Sequence, residues 1–382
     1  MEKIIATKKG IYIKILENFG GIIFSPYSGL FFAIAEDYIY NVIAYCNNEK
    51  VSLPVEIINH IDIGIEQKKK KTFDIKHWLP QKESFSYAKG YPATPIVINW
   101  LMSYRCNFHC QYCYAGDVID KEFETIAVKD IAKKILDLNP LSIVISGGEP
   151  LMEIDKIKDV LSEIGGKVGI MLDTNGYLYD AKLTKLLKKH NVVVRISLDT
   201  LLISDNKKVR QMRNKKLDDS SLNTIINNIL KYRQENIPVL IHTVVTPINK
   251  NSLDDLYSKL PLLGVNGWRI FSVVNPNDKE LQNSFKKIMN YGNRKKVSIK
   301  ETQEEIQHKM FIFKSKCPSK STFSVQIVHS DDKGKNSVIL VLPDGRFVTE
   351  NLLANEKYTI NSNNVFEDIN SWEHYNRYLG TK

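Results

Sequence analysis

The sequence predicts an α/β protein in which a partial barrel of six strand–helix units lies between a small N-terminal β+α domain and a C-terminal α+β extension. Apolar runs alternate with amphipathic helical patterns over residues 95–299, and this alternation is typical of right-handed βαβ units around a parallel sheet. Six units are fewer than the eight of a closed barrel, which favours an open or partial one. The chain has 382 residues, 43% of them hydrophobic and 25% charged, so it can bury a sizeable core and is not a disordered chain.

Residues 1–94 are the predicted N-terminal domain. Apolar β-forming runs between residues 11 and 35 are separated by glycine and proline turn signals, which predicts strands. Ile39, Val42, Ile43 and Cys46 then recur at helical spacing. This spacing predicts an amphipathic helix in which Cys46 is a small buried apolar residue. A second short helix is expected near residues 53–61.

The barrel is predicted over residues 95–299. Strands are expected at 96–103, 141–146, 168–173, 192–199, 238–245 and 267–273. Helices are expected at 125–138, 154–164, 180–190, 221–236, 251–261 and 278–291. In parallel α/β folds, ligands bind at the carboxyl ends of the strands, so the reactive residues are expected directly after each strand.

Residues 300–382 break the alternation and are the predicted C-terminal extension. Strand patterns occur at 322–329, 337–342 and 346–349, with a turn at 343–345 and a closing helix near 369–378.

Charge and hydropathy narrow the function classes less than the cysteines do. The net charge is +10, from 53 basic and 43 acidic residues, but the lysines are scattered apart from a run at Lys68–Lys71. Such a run is usually a solvated loop, so nucleic acid is not the favoured partner. No apolar run approaches 18 residues and no secretory signal is recognisable, which predicts a cytoplasmic protein without membrane association. In the cytoplasm, cysteines are free thiols, metal ligands or catalytic groups rather than disulfides.

Three of the five cysteines, Cys106, Cys110 and Cys113, are spaced CxxxCxxC directly after the first barrel strand. Three thiolates on one loop can converge on one metal centre. A structural zinc site needs a fourth ligand, which His109 would have to supply, and a disulfide would leave an odd thiol. An iron–sulfur cluster fits better, because thiolates are its normal ligands and three of them leave one iron open to bind a cofactor.

The cysteine motif, with the aromatic Tyr112 before its last cysteine, resembles that of the radical S-adenosylmethionine (SAM) superfamily. After the second strand, Gly147-Gly148-Glu149 resembles the family's GGE motif, which binds the methionine amino group of SAM. The glycines allow a close backbone approach, and Glu149 or nearby carbonyls can accept from an ammonium. The resemblance implies SAM and one [4Fe-4S] cluster, the latter held by Cys106, Cys110 and Cys113.

Residues at further strand ends extend the resemblance. It implies a SAM site formed by Tyr112, Gly147, Gly148, Glu149, Thr174, Asn175, Ser197, Asp199 and Arg210. In the family, residues like Ser197 and Asp199 meet the ribose hydroxyls, and a basic residue like Arg210 meets the methionine carboxylate. Arg213 is the alternative to Arg210. His242, within the fifth strand, is either a core residue or a site residue.

The C-terminal extension resembles a SPASM/twitch extension, which in many relatives holds auxiliary clusters. Here Thr349-Glu350-Asn351 stands where a cysteine would commonly follow. Outside the motif only Cys46 and Cys317 remain, too few for a second thiolate-bound cluster, so one cluster is predicted. Cys317 is a structural remnant, a catalytic thiol that donates a hydrogen atom to a substrate radical, or a labile iron ligand. Glu350 is either a substrate-facing acid or a surface residue.

The resemblance implies a reductive cleavage reaction. The reduced cluster donates one electron to SAM, which gives methionine and a 5′-deoxyadenosyl radical that abstracts hydrogen from a substrate carbon. The electron donor implied is a protein such as flavodoxin or ferredoxin.

The N-terminal domain resembles the small recognition domains of enzymes that mature ribosomally made peptides (RiPP maturases), although a structural cap on the barrel is an alternative. This resemblance favours a peptide or protein substrate, modified by epimerisation, crosslinking or a related reaction. A small molecule or nucleotide is the alternative substrate. The third hypothesis is a non-catalytic iron–sulfur protein that binds or senses, but the intact CxxxCxxC and GGE motifs disfavour it.

Overall fold

The structure is a computed structural model that describes residues 2–16, 20–27, 29–55, 57–58, 61–62, 94–113, 126–272, 324–328, 339–349 and 359–360. Several expectations from the sequence lie outside the described residues. These are the roles of Lys68–Lys71, Cys317 and Glu350 and the helices near 278–291 and 369–378.

The N-terminal part is a four-stranded antiparallel sheet followed by a helix. Its strands are β1 (Lys3–Ala6), β2 (Tyr12–Leu16), β3 (Gly20–Ser25) and β4 (Leu30–Ile34), paired in that order, and α1 spans Glu36–Cys46. Alternate side chains of β2 and β3 pack on opposite sides. Ile13 and Ile23 join α1 in a small core that includes the buried Cys46, whereas Ile22 and Phe24 join the barrel core. The sheet is therefore covered on both faces, and the predicted core role of Cys46 agrees with its burial.

All six predicted barrel strands are present. The strands that follow the N-terminal sheet are β5 (Val97–Leu101), β6 (Phe108–Cys110), β7 (Ser142–Ser146), β8 (Gly169–Thr174), β9 (Val193–Ser197), β10 (Arg210–Met212), β11 (Val239–Val245), β12 (Gly267–Ser272), β13 (Ser324–Val328), β14 (Ile339–Val341), β15 (Phe347–Thr349) and β16 (Thr359–Ile360). The helices are α2 (Val128–Asp137), α3 (Ile154–Ile164), α4 (Ala181–Lys189), α5 (Ile203–Val209), α6 (Asp218–Gln234) and α7 (Leu253–Lys259). No helix in the described part is long and apolar enough to cross a membrane.

The main sheet has the strand order β13-β12-β11-β9-β8-β7-β5-β14-β15-β16. All pairs from β13 to β14 are parallel, which confirms the predicted α/β class. β13 and β14 come from the predicted C-terminal extension, yet they add to the two sides of the barrel strands. The domain boundaries at 94/95 and 299/300 stay predictions.

Four short strands and one helix were not predicted, namely β1, β6, β10, β16 and α5. β6 and β10 form a separate antiparallel ladder in which Arg210 is opposite Cys110 and Met212 is opposite Phe108. The helix α5 leads directly into β10. The segment from Lys207 to Met212 is short and basic, and it lacks the apolar periodicity that reveals longer elements. β10 and α5 form because they pack against the cysteine loop.

Register shows which residues face the interior of the barrel. A Cβ added at Gly176 would contact the side chains of both Ile196 and Ile225 of α6, so Ile196 faces the outer helices. The adjacent Arg195 therefore faces inward, because successive strand residues point to opposite faces. Asp173 and Leu240 pair with Arg195 in the ladder and face inward with it.

The N-terminal sheet closes the amino end of this interior. The ring of Phe24 fills the space beside Gly169, where an added Cβ would lie 2.1 Å from a ring carbon. The backbone at Gly29 approaches Leu240, and Arg269 donates a hydrogen bond to the Gly29 carbonyl at 3.0 Å. Within the described ranges, this sheet therefore covers the amino end of the strands and leaves their carboxyl end uncovered.

Lys14 of β2 joins the sheet to the barrel. Its side chain is fully buried, and its ammonium donates to the carbonyl oxygens of Pro95 and Asn139, both at 2.9 Å. The Glu2 carboxylate lies 3.4 Å from the same nitrogen. Burial lowers the pKa of Lys14 from 10.5 to about 8, although Glu2 opposes the shift. A charged group is therefore held at the interface at a cost in solvation.

Replacing Lys14 should change how stability depends on pH. Because the pKa of Lys14 is lower in the folded state, the unfolded chain binds more protons than the folded chain between about pH 8 and pH 10.5. The contribution of Lys14 to the free energy of unfolding therefore rises with pH in this window. The rise is at most about 1.4 kcal/mol per pH unit. The free energies of unfolding of wild type and Lys14→Met should be measured with denaturant at pH 7.5 and pH 9.5. The value for the wild type should rise relative to that of the variant at the higher pH. A difference independent of pH would contradict the buried charge.

Candidate active site

The three motif cysteines lie at the carboxyl end of the first barrel strand, as predicted. Cys106 follows β5, Cys110 ends β6 and Cys113 lies in the next turn, and none of the three forms a disulfide. The backbone N–H of Phe108 donates to Sγ of Cys106 at 3.4 Å. Burial raises the pKa of the Cys110 thiol, and nearby Cys113 and Cys106 raise it further, whereas the positive charge of Arg210 lowers it. The thiols are therefore close enough to influence one another.

The donor set fits an iron–sulfur cluster by its chemistry. Three cysteine thiols that form no disulfide share one loop, and one of them already accepts a backbone N–H, as a thiolate ligand would. Among the described residues, no three His, Cys, Asp or Glu side chains lie at the spacing of a single-ion site. Binding of a cluster would require the thiols to lose their protons, as is general for metal sites.

The GGE motif holds the cysteine loop by a close backbone approach. Gly147, with φ of +139°, and Gly148 lie directly after β7. Gly148 N–H donates to the Ser103 carbonyl at 2.8 Å, and Glu149 N–H donates to the Arg105 carbonyl at 2.7 Å. A Cβ added at Gly148 would lie 2.2 Å from the Arg105 oxygen. The second glycine is thus required by the segment that leads into Cys106.

Glu149 is fully buried and ties β7 to β8. Its carboxylate accepts from the N–H of Leu151 at 3.0 Å, from the Thr174 hydroxyl at 2.7 Å and from the Asn175 N–H at 2.7 Å. Burial raises the pKa of Glu149, although these hydrogen bonds and the positive charge of Arg210 lower it. Within the described residues, no Lys or Arg nitrogen forms a direct ion pair with this carboxylate. A bound ammonium would supply such a partner.

Tyr112, Asp199 and Arg210 form a second buried group. The Tyr112 hydroxyl donates to Asp199 at 2.5 Å, and the other carboxylate oxygen accepts from the Val244 N–H at 2.8 Å. Burial raises the pKa of Asp199, while the positive charge of Arg210, 4.0 Å away, lowers it. The group connects the cysteine loop with the ends of β9 and β11.

Arg210 makes contacts that the sequence did not predict. Its two terminal nitrogens donate to the carbonyl oxygens of Ser197 and Asn175, the latter at 3.1 Å, and its side chain is 1% exposed. Its guanidinium also lies over the Phe108 ring. Arg213, the alternative, is exposed, and its N–H donates to the Asn107 carbonyl. The assignment of either arginine to the methionine carboxylate stays a prediction.

Sequence reasoning missed Asn107, which lies inside the cysteine motif. Its side-chain oxygen accepts from Asn175 at 2.7 Å. Its Nδ2 atom and the Nε atom of Arg210 are buried and have no hydrogen-bond partner in the described part of the chain. Two orphaned donors beside the thiols fit a ligand that carries several acceptor atoms, as SAM does. In the sequence only the spacing of the cysteines marked this loop, and that spacing gives no indication of a role for Asn107.

Two polar residues inside the barrel, Arg195 and Asp173, were not among the predicted site residues. Arg195 forms a bidentate ion pair with Asp173, in which Nε and Nη2 each donate to one carboxylate oxygen, Nη2 at 2.7 Å from Oδ2. His242 lies opposite Ser197 in the ladder, so it faces the same interior. Its Nε2 atom is buried without a partner, and burial together with Arg195 and Arg269 lowers its pKa well below the usual value. His242 therefore resembles a site residue more than a satisfied core histidine.

Substituting Gly148 should prevent the cysteine loop from binding metal. Gly148→Ala pushes a methyl group against the backbone of Arg105, which cannot move away as a side chain would. Purified Gly148→Ala should retain its helical circular dichroism but bind less than half the iron of wild type after anaerobic reconstitution. Gly166→Ala is the matched control. Unlike Gly148, Gly166 has a positive φ, +81°, which strains an alanine there, but an added Cβ would meet nothing within 4 Å, so this variant should bind iron normally. Equal iron binding in both variants would contradict this role.

Comparisons with known proteins agree with the site. The radical SAM superfamily pattern matches residues 100–260, which include the cysteine loop, the GGE motif and the strand ends described above. An uncharacterized protein of Methanocaldococcus jannaschii is 31% identical over 217 residues, which are 54% of this chain and 74% of that protein. An S-adenosylmethionine-dependent nucleotide dehydratase of Fibrobacter sp. is 23% identical over 266 residues, 66% of this chain and 76% of its own.

The fold resembles a solved structure over almost the whole chain. SuiB of Streptococcus suis, solved with its precursor peptide SuiA, superposes with a TM-score of 0.57 and 15% identity, covering 98% of this chain and 90% of SuiB. At this identity the likeness concerns the fold alone. Together with the superfamily match and the arrangement of thiols and strand ends, it leads to one conclusion: the chain belongs to the radical SAM superfamily.

Proposed function

We propose that this radical SAM enzyme modifies a peptide or protein substrate, using SAM and one [4Fe-4S] cluster. Cys106, Cys110 and Cys113 would hold the cluster. When bound, the two groups supply an electron and a 5′-deoxyadenosyl radical that abstracts hydrogen from the substrate. The protein's own residues bind and orient these groups and keep solvent away.

The buried polar atoms supply the proposed SAM contacts. The Glu149 carboxylate, which lacks a cationic partner among the described residues, would attract the methionine ammonium. The buried donors Asn107 Nδ2 and Arg210 Nε, which have no hydrogen-bond partner among the described residues, would donate to acceptor atoms of the same ligand. Asp199 is held at the end of β9, where it would meet the ribose. Gly147, Gly148, Thr174, Asn175 and Ser197 would complete the site through backbone or hydroxyl groups.

The N-terminal sheet is the observation that carries the substrate proposal. The likeness to peptide-bound SuiB extends over 98% of the chain, so it includes the N-terminal sheet and not only the barrel. The sheet has two edge strands, β1 and β4, and the side chains of β1 are exposed or half-buried. An extended peptide can add to such an edge by main-chain hydrogen bonds. The docking of the sheet through Lys14 would then hold the peptide at a fixed position relative to the barrel.

A nucleotide or other small anion is the second candidate substrate. The relative from Fibrobacter is described as a nucleotide dehydratase, and the guanidiniums of Arg195 and Arg269 lie near His242 on the inner face. The ion pair of Arg195 with Asp173 already neutralises part of this charge. The peptide proposal is therefore favoured. The roles of Cys317 and Glu350 stay predictions.

The cofactor proposal predicts the behaviour of the cysteine variants. Reconstituted enzyme should bind about four irons per chain, because one cluster is expected, and with dithionite and SAM it should release 5′-deoxyadenosine. Cys106→Ala, Cys110→Ala and Cys113→Ala should each abolish this release. Cys46→Ala is the matched control, since Cys46 is buried in the N-terminal core, and it should retain activity. About eight irons per chain would contradict the single cluster, and active motif variants would contradict the chemistry.

The substrate proposal can be tested by stimulation of SAM cleavage. A peptide encoded by a short open reading frame beside the gene should increase 5′-deoxyadenosine release. The peptide product should differ in mass from the starting peptide or contain deuterium from the solvent. The same reaction with nucleoside triphosphates in place of the peptide should show only background release. Stimulation by nucleotides and not by the peptide would support the second candidate instead.

A further inference from the structure

We propose that a strip of basic residues beside the cysteine loop is the docking surface for an acidic one-electron donor protein. The strip is defined by Lys207, Lys208, Arg213, Lys215 and Lys216. This inference rests on the proposed function, since only a chain that holds a reducible cluster needs such a donor.

The strip comes from one segment of the sequence. Residues 207–216 contain six basic residues and no acidic residue. Arg210 is buried in the site, and the other five are the strip. Arg213, Lys215 and Lys216 are exposed, and Lys208 has 57% of its side chain exposed. Lys207 and Lys208 form surface ion pairs with Asp219 and Asp205, but such pairs contribute little and exchange readily.

The segment is joined directly to the loop that bears the cluster ligands. Arg210 of β10 is opposite Cys110 of β6, and Gln211 is opposite the exposed His109. On either side of this ladder, the Gln111 N–H donates to the Val209 carbonyl at 3.0 Å, and the Arg213 N–H donates to the Asn107 carbonyl at 3.1 Å. A protein bound to the strip would therefore lie against the strand that holds the middle cysteine.

Exposed apolar side chains on the same elements favour a protein partner. Leu202 and Ile203, at the start of α5, are 52% and 41% exposed, and Leu217, next to Lys216, is 37% exposed. Protein interfaces combine apolar anchors with a charged rim, whereas a small anion would need only the charges. An acidic surface on the partner would complement the strip and accelerate encounter.

The step itself transfers one electron. The donor, a flavodoxin- or ferredoxin-type carrier, is oxidised by one electron and the cluster is reduced by one electron. No bond forms or breaks, and no proton transfer is required. The protein provides only the approach and the orientation of the donor.

The test compares two charge-reversed variants of the cluster-loaded enzyme. Lys215→Glu/Lys216→Glu reverses two charges of the strip. Lys182→Glu/Lys185→Glu on α4 is the matched control, because these lysines are also exposed and the net charge changes equally. Purified, fully reduced flavodoxin is mixed anaerobically with each enzyme, and cluster reduction is followed by the loss of visible absorbance.

The strip variant should be reduced by flavodoxin about tenfold more slowly than wild type, with a weaker dependence on ionic strength. The control should match wild type, and 5′-deoxyadenosine release at saturating dithionite should be equal in all three. Equal slowing in both variants, or no slowing in the strip variant, would overturn the docking surface. Loss of binding to a single-stranded oligonucleotide in the strip variant with an unchanged flavodoxin rate would also overturn it. Absence of 5′-deoxyadenosine from dithionite-reduced wild type would instead refute the proposed function.

Discussion

The buried carboxylate of Glu149 is the constraint on which the rest of the site depends. It accepts three hydrogen bonds, one from the segment after β7 and two from the end of β8 and the residue that follows it, and its own N–H donates to the Arg105 carbonyl. One residue thus fixes the ends of two strands and the start of the cysteine loop. A carboxylate buried in this way has lost much of its hydration, and only donors or a positive charge can compensate. The described residues provide the donors, so the proposed SAM ammonium would provide the charge.

The two glycines before Glu149 also hold the start of the cysteine loop, and they do so for a steric reason. The positive φ of Gly147 turns the chain back toward the loop, and the missing side chain of Gly148 permits contact with the Arg105 carbonyl. From sequence alone, the glycines were assigned to ligand approach. The structure adds that they bring two protein backbones together, so that the loop position and the ligand position depend on the same two residues.

Long periodic elements and motifs were predictable from the sequence, whereas contacts between distant segments were not. The six barrel strands and the thiol motif follow from local pattern, because apolar periodicity and cysteine spacing are local properties. β6, β10 and α5 carry no such pattern, and they depend on the pairing of residues 108–110 with residues 210–212. Asn107 and the interior pair of Asp173 and Arg195 were missed for the same reason. Their partners are 22 or more positions away in sequence, and no local rule relates them.

The arrangement separates two routes to the site. The N-terminal sheet closes the amino end of the barrel through Phe24, Gly29 and Lys14, so a substrate held on that sheet must extend to the carboxyl end to reach the cysteine loop. An electron donor on the proposed basic strip would approach the same loop from the ladder of β6 and β10. Because the proposed peptide edge and the proposed strip belong to different elements, both partners would be able to bind at once. Reduction and substrate binding would then occur in either order.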